Sequence, residues 1–308
     1  MNIIDKNFKK IVEEIKSCSE MELYHRIRTK FELIPEETKN SCMNFFNQFS
    51  YWGNLNIKDN VYQEIELKAM ELHQHIDDFV WLYQHLEDYR SKRLLYAILN
   101  NWYQYDFLET ARTKECLFDE YFDLDVIKCN NDEVIVDLGA YTGDSILSYI
   151  KNYGEDCYKK IYCYEITPET FEILKKNLLP FPNIECRLKG VGDRYEKMDV
   201  ENNSASVSAN TLKTHDDGKI EVTTLDKDIE DSITLIKADI EGFEQKALKG
   251  ARNHIKNEHP KLLISVYHRN EDLWKIPKMI YEMSKDYKFY LRFNSSPIYP
   301  TEITLLAI

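Results

Sequence analysis

V134-I-V-D-L-G-A-Y-T-G-D144 is the stretch from which the architecture is best approached. An apolar run ends at Asp137, a glycine turn follows, and a helix opens at Gly143 or Asp144. In an open α/β sheet, a ligand sits beyond the carboxyl ends of the strands, where the strand order reverses. Gly139 permits the tight turn, and Gly143 lets a ligand come close to the backbone. A dinucleotide site would instead need G-x-G-x-x-G, so that a pyrophosphate rests on the helix N-terminus. Here the spacing is G-x-x-x-G, with the Asp137 and Asp144 carboxylates where phosphates would lie. Two anions repel a pyrophosphate and attract a cation. S-adenosylmethionine, with a sulfonium, an α-ammonium and no phosphate, suits that field.

Working outward, residues 160–165, 184–189, 233–239 and 261–268 read as further buried strands, with helices at 144–149, 167–178 and 243–255. Thr167 followed by Pro168 is a helix start, an N-cap with proline at the first helical position. Alternating strands and helices imply a parallel sheet covered on both faces. Residues 287–293 and 302–308 are two strands joined by 294–301, expected as a hairpin on the sheet edge. The segment 196–219, which contains N202-N-S-A-S-V-S-A-N210, has neither period. It reads as a loop able to cover the donor, or equally as a surface excursion.

Before residue 130 the character differs. Of nine glycines only Gly53 lies there, and of eight prolines only Pro35. Both residue types break helices, so an all-helical segment over 1–115 is expected, ahead of a donor-binding domain over 116–308. Ser19 with Glu22 forms a capping box, and Pro35-Glu36-Glu37 suits a first helical turn. Leu94, Leu95, Ile98, Leu99 and Trp102 recur at helical spacing. The many aromatics of this part read as core, a few of them as an acceptor-binding wall. His73, His75 and Asp77 read as a solvated helix face, because residues two apart point in different directions.

With 308 residues the chain has room for about two domains. A net charge of −13 argues against duplex nucleic acid or an anionic membrane as partner. Its apolar runs fall far short of the ~20 residues that span a bilayer. The N-terminus lacks an apolar signal core, so a cytoplasmic protein is expected. Seven scattered cysteines, none spaced C-x-x-C, read as reduced thiols rather than a disulfide framework or zinc site.

Other acids join the first strand. Glu165, at the tip of the second strand, can accept both ribose hydroxyls of an adenosine; it also reads as a helix-start carboxylate. In I236-K-A-D-I-E-G-F-E-Q-K-A-L-K-G-A251, Asp239 falls at a strand's carboxyl end, with Glu241 and Glu244 opening the next helix. S265-V-Y-H-R269 puts His268 after the fifth strand.

These stretches, with Y164-E-I-T-P and V222-T-T-L-D226, resemble the FkbM family of S-adenosylmethionine-dependent methyltransferases over roughly residues 118–308. The resemblance implies a class I methyltransferase fold: a Rossmann-like, mostly parallel sheet of seven strands with an antiparallel C-terminal hairpin. It also implies methyl transfer, typically to a hydroxyl oxygen of a sugar, glycan or small natural product. Asp137, Gly139, Gly143 and Glu165 would hold the donor, with Ala140, Tyr141, Thr142 and Asp144 in the same turn and Ile166 beside Glu165. Gly192 and Asp193 would border the adenine. Asp239 and His268 are the candidates for a general base that takes the acceptor's proton. A divalent metal on Asp239, Glu241 and His268 is a further option, since hard carboxylates suit Mg²⁺, but nothing in the spacing demands it. A nucleotide-dependent oxidoreductase and a non-catalytic S-adenosylmethionine-binding module stand as alternatives.

Overall fold

The computed structural model describes residues 2–203, 206–214, 218–299 and 301–308. The chain divides into two compact units. Unit 1 comprises Met1–Cys116, Val266–Lys278 and Lys288–Thr304; unit 2 comprises Leu117–Ser265, Met279–Tyr287 and Leu305–Ile308. The division is thus discontinuous in sequence, unlike the single boundary expected between residues 115 and 116.

Unit 1 is built on helices α1 (Ile3–Lys16), α2 (Glu20–Leu33), α3 (Glu36–Gln48), α4 (Gln63–His85), α5 (Tyr89–Gln104) and α6 (Phe107–Ala111). A two-residue antiparallel pair, β1 (Leu55–Asn56) with β2 (Val61–Tyr62), interrupts them. The helices start where side chains can satisfy the unpaired backbone N–H groups of a first turn. Capping boxes form at Asn2/Asp5 and Ser19/Glu22, and Asp88 accepts from Ser91 N at 2.8 Å. Pro35 stands at the N-cap of α3 rather than inside its first turn. The stripe Leu94, Leu95, Ile98, Leu99 and Trp102 is buried as its spacing requires, and α1 buries Ile4, Phe8, Ile11, Val12 and Ile15.

The C-terminal stretches count with unit 1 for a polar reason. Arg292 is 5% exposed and pairs with Asp88 at 2.8 Å, while Ser91 Oγ accepts from Leu291 N at 2.9 Å. A buried guanidinium holds its place only against a carboxylate and hydrogen-bond acceptors, and α5 supplies them.

The main sheet has seven strands: β3 (Val134–Leu138), β4 (Lys160–Glu165), β5 (Ile184–Leu188), β10 (Leu235–Ala238), β11 (Lys261–Ser265), β12 (Phe289–Phe293) and β13 (Ile303–Ala307), in the order β12-β13-β11-β10-β3-β4-β5. The five strands from β11 to β5 pair in parallel. Helices α7 (Asp144–Tyr153) and α8 (Pro168–Leu178) connect β3 to β4 and β4 to β5. The chain runs outward from β3 through β4 to β5, then returns to β10 on the other side of β3. The reversal lies between β3 and β10, as expected for a class I methyltransferase sheet.

Three local expectations are corrected. Of the segment 196–219, residues 204–205 and 215–217 lie outside the described residues; the rest is not merely a loop, since β7 (Glu196–Glu201) and β8 (Thr211–Thr214) pair antiparallel in a second sheet, ordered β6-β9-β7-β8, with β6 (Gly190–Val191) and β9 (Ile220–Thr223). Its core is Met198, Leu212, Ile220 and Val222, with Ile166 and Phe243 packed against it. Only Met198 of β7 is buried, so the strand has too few apolar positions to show its period. Second, after α9 (Leu225–Asp228), the helix expected over 243–255 is two, α10 (Glu244–Gly250) and α11 (Arg252–Glu258), separated at Ala251. Third, the fifth strand ends at Ser265, three residues before His268; α12 (Asp272–Met283) follows. No helix among the described residues is long and apolar enough to cross a membrane.

Candidate functional site

Unit 2 holds a pocket of about 590 Å³, its open mouth included, at the carboxyl ends of β3, β4 and β10. This is where the topology places a ligand. Its lining includes Gly139 and Tyr141 after β3, Glu165 and Ile166 after β4, and Asp239, Ile240 and Glu241 after β10. Lys189, Gly190, Ser208, Asn210 and Leu212 come from the region of the second sheet. The backbone around it is bent into the left-handed region at Gly139 (φ 73°), Tyr141 (45°), Gly143 (91°), Glu241 (53°) and Gly242 (88°). Tyr141 and Glu241 carry a Cβ, so this conformation costs energy that neighbouring interactions must offset.

The offset at Tyr141 is visible. Glu165 Oε2 accepts from Tyr141 N at 3.0 Å, and Oε1 accepts from Ile166 N (2.9 Å) and Thr167 N (2.7 Å). One carboxylate therefore knots the β3 loop to the start of α8. Burial pushes its pKa up, and the three backbone N–H groups pull it back without cancelling the rise. Thr167 does occupy the N-cap of α8, but its hydroxyl makes no cap bond; it accepts from Asn210 Nδ2 at 3.3 Å.

Asp137 is fully buried, below the loop rather than on the pocket wall. It pairs with Lys237 Nζ at 3.0 Å, and the same ammonium donates to Gly139 O at 2.9 Å. Burial pushes the Asp137 carboxyl up. Burial also opposes the Lys237 charge, but the carboxylates of Asp137 and Asp239 outweigh it and hold that ammonium above its ordinary range. The two form a buried ion pair that pins the carbonyl at the turn.

Gly139 takes the left-handed turn expected of it and has a second role besides, whereas Gly143 is needed for a different reason from the expected one. A Cβ on Gly139 would lie 1.9 Å from Asp239 O, so the glycine admits the β10 backbone. A Cβ on Gly143 would meet Leu178 at 3.1 Å, so this glycine admits α8 rather than a ligand.

Ala140 is buried, its N–H donating to Tyr164 O at 2.9 Å; Thr142 O accepts from Asn177 Nδ2 at 2.8 Å. Asp144 and Asp193 are exposed, and Gly192 N donates to Thr223 O at 2.8 Å. None of these lines the pocket. His268 belongs to unit 1, where it is 2% exposed and its ring lies 4.2 Å from that of Tyr267. The Tyr267 carbonyl accepts from Trp52 Nε1 at 2.8 Å.

Asp239 does line the pocket, and its partner was not foreseen. Tyr121 OH donates to Asp239 Oδ2 at 2.7 Å, from a buried residue with φ of 67°. Tyr121 sits 118 residues before Asp239, in a stretch with no period or motif, so nothing in the sequence marks it. Lys237 stood inside the fourth-strand motif, and its burial opposite Asp137 could have been read from the strand pattern. Among the described residues, Lys189 is the one cation that lines the pocket, and its Nζ is engaged by Asp228 at 3.0 Å.

Residues 137–291, half of the chain, match the Methyltransferase FkbM domain. The fold is similar to that of methyltransferase FkbM from Methylobacillus flagellatus, with 25% identity and a TM-score of 0.66 over 81% of this chain and 63% of that one. The present chain thus spans less than two thirds of that relative. Fibrillarin from Aeropyrum pernix, solved with natively bound S-adenosyl-L-methionine, aligns over 64% of this chain and 72% of its own, at 14% identity and a TM-score of 0.38. No curated protein matches in sequence. The seven-stranded fold agrees with the family match, and the chain belongs to the FkbM methyltransferase domain family.

Proposed function

We propose that the chain is an S-adenosylmethionine-dependent methyltransferase acting on a hydroxyl oxygen of a sugar, glycan or small natural product. The observation that carries this reading is the charge of the pocket wall. Glu165, Asp239 and Glu241 line it, while the ammonium of Lys189 is engaged by Asp228. Such a wall attracts a sulfonium and an α-ammonium and repels a pyrophosphate. Glu165 Oε1 already accepts two backbone N–H groups, while Oε2 accepts one and keeps a lone pair for a ribose hydroxyl.

S-adenosylmethionine supplies an already electrophilic methyl carbon, so the chain's task is to position, to exclude water and to accept a proton. An alcohol is a poor nucleophile until its proton begins to leave. Asp239, held by the Tyr121 hydroxyl, is the proposed base or the group orienting it; His268 is the second candidate. Asp137 with Lys237 shapes the turn from below.

Calorimetry with S-adenosylhomocysteine and with NAD tests the donor class: uptake of the first and indifference to the second are expected, and the reverse overturns the reading. Because protonation removes the negative charge of Glu165, donor affinity should fall on acidification, starting above the usual glutamate range. Transfer of labelled methyl to a panel of glycans and small alcohols, read by mass spectrometry, tests the acceptor class. Asp239→Asn and His268→Ala should each slow turnover by about 10²-fold or more with donor affinity retained; near wild-type rates in both would remove them as bases.

A further inference from the structure

A transverse row crosses the main sheet just below the β3 turn. The parallel ladders place Lys237 beside Asp137, Asp137 beside Cys163, and Cys163 beside Cys186. Registered neighbours on parallel strands project to the same face, so the two thiols lie side by side. Adjacent strands hold such Cα atoms about 4.8 Å apart, inside the window of roughly 4.4–6.8 Å that a disulfide spans. Closing the bond needs only a small approach of the two Cβ atoms, to the roughly 3.5–4.5 Å that a disulfide spans.

The two sulfurs are unequal. Cys163, on β4, is fully buried. Cys186, on β5, is half-buried, and β5 is the last strand on its side of the sheet, so a small solute reaches it from the edge. The mutual interaction of the two thiols holds the pKa of the buried one up and that of the outer one down, with Lys175 of α8 adding to the second effect. A thiolate-prone, reachable sulfur beside a buried partner is the arrangement in which oxidation proceeds to a disulfide rather than onward to irreversible acids.

We propose that Cys186 and Cys163 form a modification site for hydrogen peroxide, with Cys186 oxidised first and Cys163 closing a disulfide between β4 and β5. In the first step the Cys186 thiolate attacks a peroxide oxygen and the O–O bond breaks. Hydroxide leaves, and the sulfur, oxidised by two electrons, becomes a sulfenic acid. In the second step the Cys163 sulfur attacks the Cys186 sulfur, the S–O bond breaks, and the hydroxyl departs with the thiol proton as water. Peroxide is the sole oxidant consumed.

The five other cysteines are internal controls: Cys18 and Cys42 are buried, Cys116 is exposed, and Cys129 and Cys157 are half-buried. The full chain is treated with hydrogen peroxide, alkylated, digested and read by mass spectrometry. The Cys163–Cys186 linkage should appear about tenfold faster than any other, and pre-unfolding in urea should abolish that preference. In Cys163→Ser, Cys186 should be trapped as a sulfenic acid by a dione probe and then pass to the sulfinic acid. In Cys186→Ser, Cys163 should stay reduced. Cys116→Ser, a change on an exposed thiol outside the row, should leave the linking rate unaltered. Native thermal unfolding of each variant guards against loss of fold. Linkage of Cys129 to Cys157 ahead of the proposed pair, or Cys186 reaching the sulfonic acid in the parent chain with Cys163 untouched, overturns the proposal.

Discussion

The helix starts of unit 1 and the strand ends of unit 2 face one problem, the backbone polar groups left over where a regular element stops, and solve it differently. In unit 1 the partner is three residues away: Asp5 for Asn2, Glu22 for Ser19, Asp88 for Ser91. In unit 2 the partner is remote. Glu165 reaches Tyr141 N across 24 residues, and Lys237 reaches Gly139 O across 98. Local satisfaction makes an element that stands with modest help from elsewhere. Remote satisfaction lets left-handed residues persist around a pocket, because several strands must all be in place to hold them.

If that contrast is right, the largest loss follows Gly139→Ala. The new Cβ would meet Asp239 O at 1.9 Å, on a backbone with φ of 73°. Either β10 or the turn must move, so urea unfolding should show a loss of about 3 kcal/mol or more, and calorimetry should show donor binding gone. Retention of stability within about 1 kcal/mol would mean the turn is far more plastic than a jointly held rim allows.

Lys237→Met comes next. It leaves the Asp137 carboxylate buried without its cation, a loss of about 3–5 kcal/mol in comparable pairs. The informative variant is Lys237→Met combined with Asp137→Asn. Removing both charges should restore a good part of the stability, because the penalty lies in stranding one of them. Donor affinity should stay low in the double variant, because Gly139 O has lost its donor. Full recovery of both quantities would show that the pair does not shape the turn.

The same contrast explains what could be read without coordinates. The parallel sheet, the helical first part and the capping boxes rest on period and on neighbours three or four residues apart, and these are legible. Of the site, the residues at strand ends were legible: Gly139, Glu165 and Asp239 mark the pocket because a strand's apolar run stops visibly. Contacts that close the pocket were not. Tyr121 belongs to an irregular stretch, and Asn210 and Leu212 to a hairpin whose β7 buries only Met198. Motif spacing also says which residue is required without saying why: Gly143 is a packing glycine against Leu178. Asp137 reads from sequence as a wall carboxylate and is in fact the floor's buried half-pair.

A smaller effect separates charge from capping within unit 1. Burial pushes the Asp88 carboxyl up, but hydrogen bonds from Arg292 and Ser91 outweigh it and hold its pKa below the ordinary 3.8. A carboxyl depressed in the folded state stabilises above its unfolded pKa, and that contribution fades as pH falls through the folded value. Asn is as good an N-cap as Asp, so Asp88→Asn keeps the cap and deletes the charge. The variant should lose about 1–2 kcal/mol at neutral pH. Urea midpoints should converge with those of the parent as the solution is acidified past the ordinary aspartate value of 3.8 and on through the depressed folded value. A constant difference at all pH values would assign Asp88 a purely geometric role.

The smallest and sharpest comparison is between two residues of similar chemistry at two helix starts. Ser19 Oγ accepts from Glu22 N, while its own N–H donates back to Glu22, so Ser19→Ala should cost about 1 kcal/mol in unfolding free energy. Thr167 occupies the same formal position on α8, yet its hydroxyl serves Asn210 and its N–H serves Glu165. Thr167→Ala should therefore cost only about 0.5 kcal/mol and should instead weaken donor binding, since Asn210 and Leu212 line the pocket. Equal stability losses in the two variants, with donor affinity unchanged in the second, would mean that the hydroxyl of Thr167 acts as an ordinary cap and that the remote bond to Asn210 contributes nothing to the pocket.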